Sequence, residues 1–204
     1  HLVRHVPSPD LGRIDVVLLS HIHADHLHRR SLRRVAEGAR VVLPAGGDAL
    51  VGGLGATSVE GVRPGDQVHL GADAAGGDVT AEVVHADHSC RRGPHTRHSA
   101  DPVGFVIRAG GRAIYFAGDT GLFDGMGDGW GDLDVALLPI WGWGRTLGTH
   151  HLDPRTAVTA TKLVEPRHVV PIHWGTYSPI RPGRGAPGWL ERPLEQFRHH
   201  LAEA

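Results

Sequence analysis

The sequence predicts an α/β fold in which strands outnumber helices, and three observations carry that prediction. Short runs rich in valine, isoleucine and leucine recur along the chain, bounded by glycine, proline and aspartate. Several runs are apolar throughout instead of alternating, which suits strands covered on both faces. Segments with helical start and stop signals lie between them. The 204 residues suffice for one sizeable core, so residues 1–204 are expected to form a single domain.

Taken in order, the predicted strands are "IDVVLL" (14–19), "RVVLP" (40–44), "DQVHL" (66–70), "VTAEVVHA" (79–86), "VGFVIRA" (103–109), "RAIYFAG" (112–118), "DVALLPI" (134–140) and "HVVPI" (168–172). Gly110 and Gly111 join two of them as a hairpin. A first helix is expected over "SLRRVAEG" (31–38), with Ser31 as N-cap and Gly38 as stop. A second is expected over 153–166, with Asp153 at the cap, Pro154 in the first turn and Pro166 just past the end. Near the C-terminus Leu194, Phe197 and Leu201 fall on one helical face. Residues 178–188 read as an irregular loop.

Composition narrows the function. The net charge is −1, from 21 basic and 22 acidic residues, which gives no large lure for nucleic acid or an anionic membrane. Cys90 is the one cysteine, so no internal disulfide forms. No apolar run reaches membrane-spanning length, and "HLVRHVPSPD" lacks the apolar core of a signal peptide, so a cytoplasmic protein is expected.

The 17 histidines are the unusual figure, and "SHIHADHLH" (20–28) concentrates four of them. This stretch follows a buried strand. In extended backbone His21 and His23 point to the same side, where two imidazoles can share one cation at about 2.0–2.1 Å. Asp25 and His26 follow as the chain turns and can serve a second cation. Further donors at strand ends are His85 and His88 in "VVHADHSC", Asp119 in "IYFAGDTG" and His173 in "HVVPIHWGT". The glycines around Asp119 let backbone approach closely.

The set "HIHADH", "HSC", "AGDTG" and "PIHWGT", in this order from Ile14 to Pro179, resembles the metallo-β-lactamase fold superfamily. "GDTGLF", "HLDP" and "HWGTY" are most similar to the branch that contains L-ascorbate-6-phosphate lactonase and the N-acylphosphatidylethanolamine-hydrolysing phospholipase D. The resemblance implies a four-layer αββα sandwich with a two-metal centre between its sheets. It implies that His21, His23 and His88 hold one metal, that Asp25, His26 and His173 hold the other, and that Asp119 bridges them. It selects His88 over His85, because the family histidine precedes a small or aromatic residue and a basic segment, as in "HSCRR". Members usually carry further strands before the first histidine motif, so one sheet is expected to lack an edge.

Asp25 and His151 are the candidate catalytic residues, the resemblance implying that His151 contacts substrate or donates a proton. Two divalent cations, two aspartates and a bridging hydroxide leave the centre net positive, which favours an anionic or oxyanion-forming substrate. The function expected is a binuclear metal-dependent hydrolase of a phosphodiester, lactone or similar ester, acting on a small-molecule or lipid-like anionic substrate. Zinc is the first choice of metal, with manganese or iron as alternatives, since no thiolate is in the set. A ribonuclease of the same superfamily and a non-catalytic metal-binding scaffold are the rivals. A homo-oligomer is compatible with all three.

The remaining expectations are smaller. Cys90 is read as a small buried residue, Arg91 and Arg92 as a solvated pair and His150 as exposed. Trp141, Trp143, Trp174 and Tyr177 either line a pocket or plug the sandwich edge.

Overall fold

The computed structural model describes residues 2–93, 95–142, 148–179 and 188–204. In chain order these form β1 (Leu2–Arg4), β2 (Val16–Leu18), α1 (Arg29–Val35), β3 (Arg40–Pro44), β4 (Ser58–Val62), β5 (Gln67–Ala72), β6 (Asp78–His85), β7 (Val103–Ala109), β8 (Arg112–Phe116), β9 (Val135–Pro139), α2 (Pro154–Val164), β10 (His168–Ile172), β11 (Tyr177–Pro179) and α3 (Arg192–Ala202). Strands β2, β3 and β4 make one parallel sheet in that order. A six-stranded mixed sheet has the order β10-β9-β8-β7-β6-β5.

The two-residue period of the strands builds the layers. Along β3, Val41 and Leu43 pack with Leu32 of α1 and its C-cap Ala36, while Val42 points the other way. There it meets Val83 of β6 and Phe105 of β7, between the two sheets. The opposite faces of those strands, through Val84 and Val106, pack with Ala157, Val158 and Ala160 of α2 and Phe197 of α3. The layers therefore run helix, sheet, sheet, helix, the predicted αββα sandwich. Strands such as β7 read as continuous apolar runs because both faces are covered, each large side chain contributing about 1.5–3 kcal/mol by burial.

Strand direction then places the site. Strand β6 is antiparallel to β7 and β7 to β8, whereas β8, β9 and β10 are parallel, so β6, β8 and β10 end at one edge. The candidate donors His88, Asp119 and His173 follow those three ends.

Local signals held at several points. Gly110 and Gly111, with φ of +53° and +71°, turn the β7–β8 hairpin, as a type I′ turn requires. Asp153 accepts from Arg155 and Thr156 N–H in a capping box, and α2 ends at Glu165, before Pro166. Others did not hold. Helix α1 starts earlier than expected, capped at His28, and the Ser31 hydroxyl instead bonds the His28 ring at 2.9 Å. Leu201 is exposed, leaving Phe197 and Leu194 to dock α3.

Three strands went unread. Strand β4 is mostly exposed and carries Glu60 and Gly61, so it lacks an apolar signature. Strands β1 and β11 are three residues each and, among the described residues, pair only with one another. Among the described residues β2 stands at the edge of its sheet, with β1 outside it. Of the loop expected at 178–188, only residues 178, 179 and 188 lie among the described residues. No helix among the described residues is long and apolar enough to cross a membrane.

Candidate metal centre

The turn after β2 is oriented by its apolar residues. Ile22 and Leu27 are buried in the cluster beneath α1, which leaves the intervening polar side chains to face the sheet edge. His26 and Leu27 N–H both donate to the His23 carbonyl, closing the turn. His21 and His23 come together as their spacing predicts, with ring centroids 4.8 Å apart.

The loops from the other sheet meet this turn. His88 Nε2 stands 3.0 Å from His23 Nδ1, and His173 Nε2 stands 3.2 Å from His26 Nε2. Two nitrogens bound to one tetrahedral ion lie about 3.3 Å apart, so both spacings suit a shared cation. Asp119 sits in the middle. Its Oδ2 is 3.2 Å from His26, 3.8 Å from His21 and 4.0 Å from both His88 and His151, while Oδ1 is 3.4 Å from His173. Four donor groups result, each with its atoms within 4.8 Å: His21, His23 and His88; His21, His26 and Asp119; Asp25, His26 and His173; and His88, Asp119 and His151. All seven residues expected to bind metal are thus brought together, and His151 joins them. His85 is not, its ring packing on Phe123 instead.

Two glycines permit the convergence. A Cβ on Gly118, at φ +65°, would stand 2.5 Å from the Ser20 Cβ, and one on Gly121 would stand 2.3 Å from the Thr149 carbonyl oxygen. His173 itself takes a φ of +61°, a left-handed conformation that is unfavourable for a residue with a Cβ.

Backbone carbonyls fix two of the rings. His88 Nδ1–H donates to the His150 carbonyl at 2.9 Å, and His173 Nδ1–H to the Trp141 carbonyl at 2.7 Å. Each bond leaves the Nε2 lone pair facing the centre. His23 also hydrogen-bonds the Arg91 backbone. His21 Nε2, Asp119 Oδ1 and His151 Nδ1 are buried with no hydrogen-bond partner. Orphaned polar atoms are rare in folded proteins, and three of them on residues of the overlapping donor groups fit bound cations.

Electrostatics agree. Burial, reinforced by the neighbouring His26, pushes the His21 pKa down to about 2, and burial pushes His151 down to about 4. Burial also lowers His23, with help from His88. Burial opposes charge on Asp119, but the hydrogen bond from His26 and the nearby His173, His26 and His21 outweigh it and hold the carboxyl well below its usual range. His21, His23 and His151 are therefore held as neutral imidazoles around a carboxylate, the protonation states that metal ligands need, whereas Asp119 raises the pKa of His26.

Other expectations are corrected. Arg92 is not solvated: its guanidinium donates to the Ile22 carbonyl at 2.8 Å and to the Leu27 carbonyl at 3.2 Å. His150 is exposed as expected, yet its ring bonds Asp87 Oδ1 at 2.9 Å, a contact for which neither residue was singled out. The adjacency of Asp87 to His88 was the only available signal. Cys90 is half-buried and free. Trp174 N–H donates to the Pro171 carbonyl and the ring packs on the core, so it plugs the structure. Tyr177 lies in β11, not in a loop, beside the Arg4 guanidinium. Trp143 falls outside the described residues.

Known proteins give a consistent picture. Residues 2–174 match the family described as beta-lactamase superfamily domain. A UPF0173 metal-dependent hydrolase of Nitratidesulfovibrio vulgaris is 34% identical over 198 residues, covering 94% of this chain and 72% of that protein. N-acyl-phosphatidylethanolamine-hydrolyzing phospholipase D 1 of Caenorhabditis elegans is 29% identical over 192 residues, covering 85% of this chain and 53% of that protein. Among solved structures, the metallo hydrolase Igni18 of Ignicoccus hospitalis superposes with a TM-score of 0.60 at 30% identity, covering 89% of this chain and 71% of that one. The chain belongs to the beta-lactamase superfamily and, within it, to the UPF0173 metal-dependent hydrolases.

Proposed function

We propose that the centre holds two divalent cations, with zinc favoured and manganese or iron as alternatives, and hydrolyses a phosphodiester, lactone or related ester in an anionic substrate. The observation that carries this reading is that His21, His23 and His88 form one donor group and Asp25, His26 and His173 another, with the buried Asp119 carboxylate within 4.0 Å of His21 and His88 of the first and of His26 and His173 of the second. His21, His23 and His88 would hold one cation, Asp25, His26 and His173 the other, and Asp119 would contact both. Divalent cations bound there supply Lewis acidity and lower the pKa of water from about 15.7 to about 7. No serine or cysteine nucleophile is then needed.

The chain's own residues prepare that chemistry. The carbonyls of His150 and Trp141 hold His88 and His173 in the tautomer with Nε2 free. His151, kept neutral by burial, has no surplus proton to give a leaving group at neutral pH, so it serves by orienting an N–H or lone pair toward the reacting atoms. Asp25, the most exposed of the donors, stands at the solvent side, where water and substrate enter. The C. elegans relative is named an N-acyl-phosphatidylethanolamine-hydrolyzing phospholipase D, which supports a phosphodiester as the first bond to assay.

The test is metal analysis of the purified protein together with hydrolysis of bis(p-nitrophenyl) phosphate and a panel of small lactones, with and without a chelator. About two metal equivalents per chain and chelator-sensitive turnover are expected. Turnover that survives complete metal removal would falsify the reading.

A further inference from the structure

The turn that carries four of the seven candidate donors is gripped at both ends by one side chain. Arg92 Nη1–H donates to the Ile22 carbonyl at 2.8 Å and to the Leu27 carbonyl at 3.2 Å, and Nη2–H donates to the same Leu27 carbonyl at 3.2 Å. Ile22 lies between His21 and His23, and Leu27 follows His26 directly, so the two carbonyls bracket the donor residues. Arg92 is itself held in a small antiparallel loop. Its N–H donates to the His98 carbonyl, Arg91 bridges to Ser99, and Ala100 N–H donates to the Cys90 carbonyl. Val103 N–H then donates to the Ser20 carbonyl, tying the exit of this loop to the residue before His21.

We infer that Arg92 is a positioning residue that sets the spacing between the 21–26 turn and His88, and thereby the affinity and geometry of the metal centre. His88 and Arg92 sit four residues apart on one loop, one as a candidate ligand and the other as the clamp on its partners. Among the described residues no ion pair joins Arg92 to a carboxylate, so its charge is spent on carbonyl oxygens beside a site meant for cations. A planar fork of donors explains the choice, because lysine, with three donors on one point, reaches either carbonyl but does not span both. The inference rests on the reading of this turn as a metal site.

The experiment compares the full chain with Arg92→Lys and Arg92→Ala. Zinc affinity is measured by competition with a chromophoric chelator, and geometry by the visible absorption of the cobalt(II)-substituted protein. Circular dichroism reports whether each variant keeps its fold. Arg92→Lys retains charge and bulk, so it decides the matter should Arg92→Ala fail to fold. Loss of an orienting partner typically weakens metal binding about 10–100-fold. The expected result is a loss near the upper end for Arg92→Ala, a loss near the lower end for Arg92→Lys and a shifted cobalt spectrum for both. Added methylguanidinium should recover part of the affinity of Arg92→Ala. Wild-type affinity and an unaltered cobalt spectrum in both variants overturn the inference and leave the metal reading standing. A wild-type protein that takes up neither metal overturns both.

Discussion

The two halves of the candidate centre are built differently. His21 and His88 have side chains only 1% and 3% exposed, and His88 is locked by a backbone carbonyl. In the other half His26 and His173 are 19% exposed and Asp25 is 49% exposed. His173 is held at a φ that disfavours any residue with a Cβ, which costs of order 1–3 kcal/mol. Each half has one ring fixed by a backbone carbonyl, but the first is the more deeply buried through His21 and His88, whereas the second is more open and is strained at His173. The difference teaches that, on the two-cation proposal, the positions should differ in affinity, the more buried one filling first.

Asp119→Asn tests what the halves share and should have the largest effect. The substitution keeps the shape but removes the charge on which both donor groups converge, so metal affinity should fall by more than the roughly 10–100-fold typical of an orienting partner, and hydrolysis should vanish. Metal analysis and the chelator-sensitive assay read this directly; unchanged activity would remove Asp119 from the centre.

Next comes the contrast between the halves. His88→Ala should abolish the tight zinc equivalent in a competition titration, whereas Asp25→Ala should weaken only the looser one and leave about one equivalent bound per chain. Equal losses in the two variants would show the halves to be alike.

The smallest effect is one of pH on the metal-free protein. His21, with a pKa near 2, His151, near 4, and His23, also lowered, stay neutral in the fold, while in the unfolded chain they protonate near 6.5. The unfolded chain therefore binds more protons below that value, and stability falls as pH falls. His26 acts in the opposite sense: burial opposes its charge, but Asp119 outweighs burial and raises its pKa. With three groups against one, the thermal midpoint should drop between about pH 7.5 and about pH 5. Bound zinc should offset much of the drop, since protons and cations compete for the same nitrogens. A midpoint that rises on acidification contradicts the neutral cluster.

Much of this was legible in residues 14–28. A buried apolar run followed by histidines at i and i+2 has a local meaning, because side-chain direction alternates along extended backbone whatever the rest of the chain does. The cap at Asp153 and the turn at Gly110 and Gly111 were legible for the same reason. Strand β4 was not, because Glu60 and Gly61 disguise a segment whose pairing with β3 alone makes it a strand. Arg92 was misread because nothing near it in the chain shows that its partners are Ile22 and Leu27.

The sequence by itself determined the kinds of donor and their placement at strand ends, since hydrophobic period, turn chemistry and capping act over a few residues. Only the tertiary structure decided which donors meet. His23 faces His88 across 65 residues of chain and His26 faces His173 across 147, and such pairs depend on strand order and sheet packing. It also set His85 against Phe123 and turned Arg92 and His151 inward, because where a side chain points at a loop end depends on what packs against it.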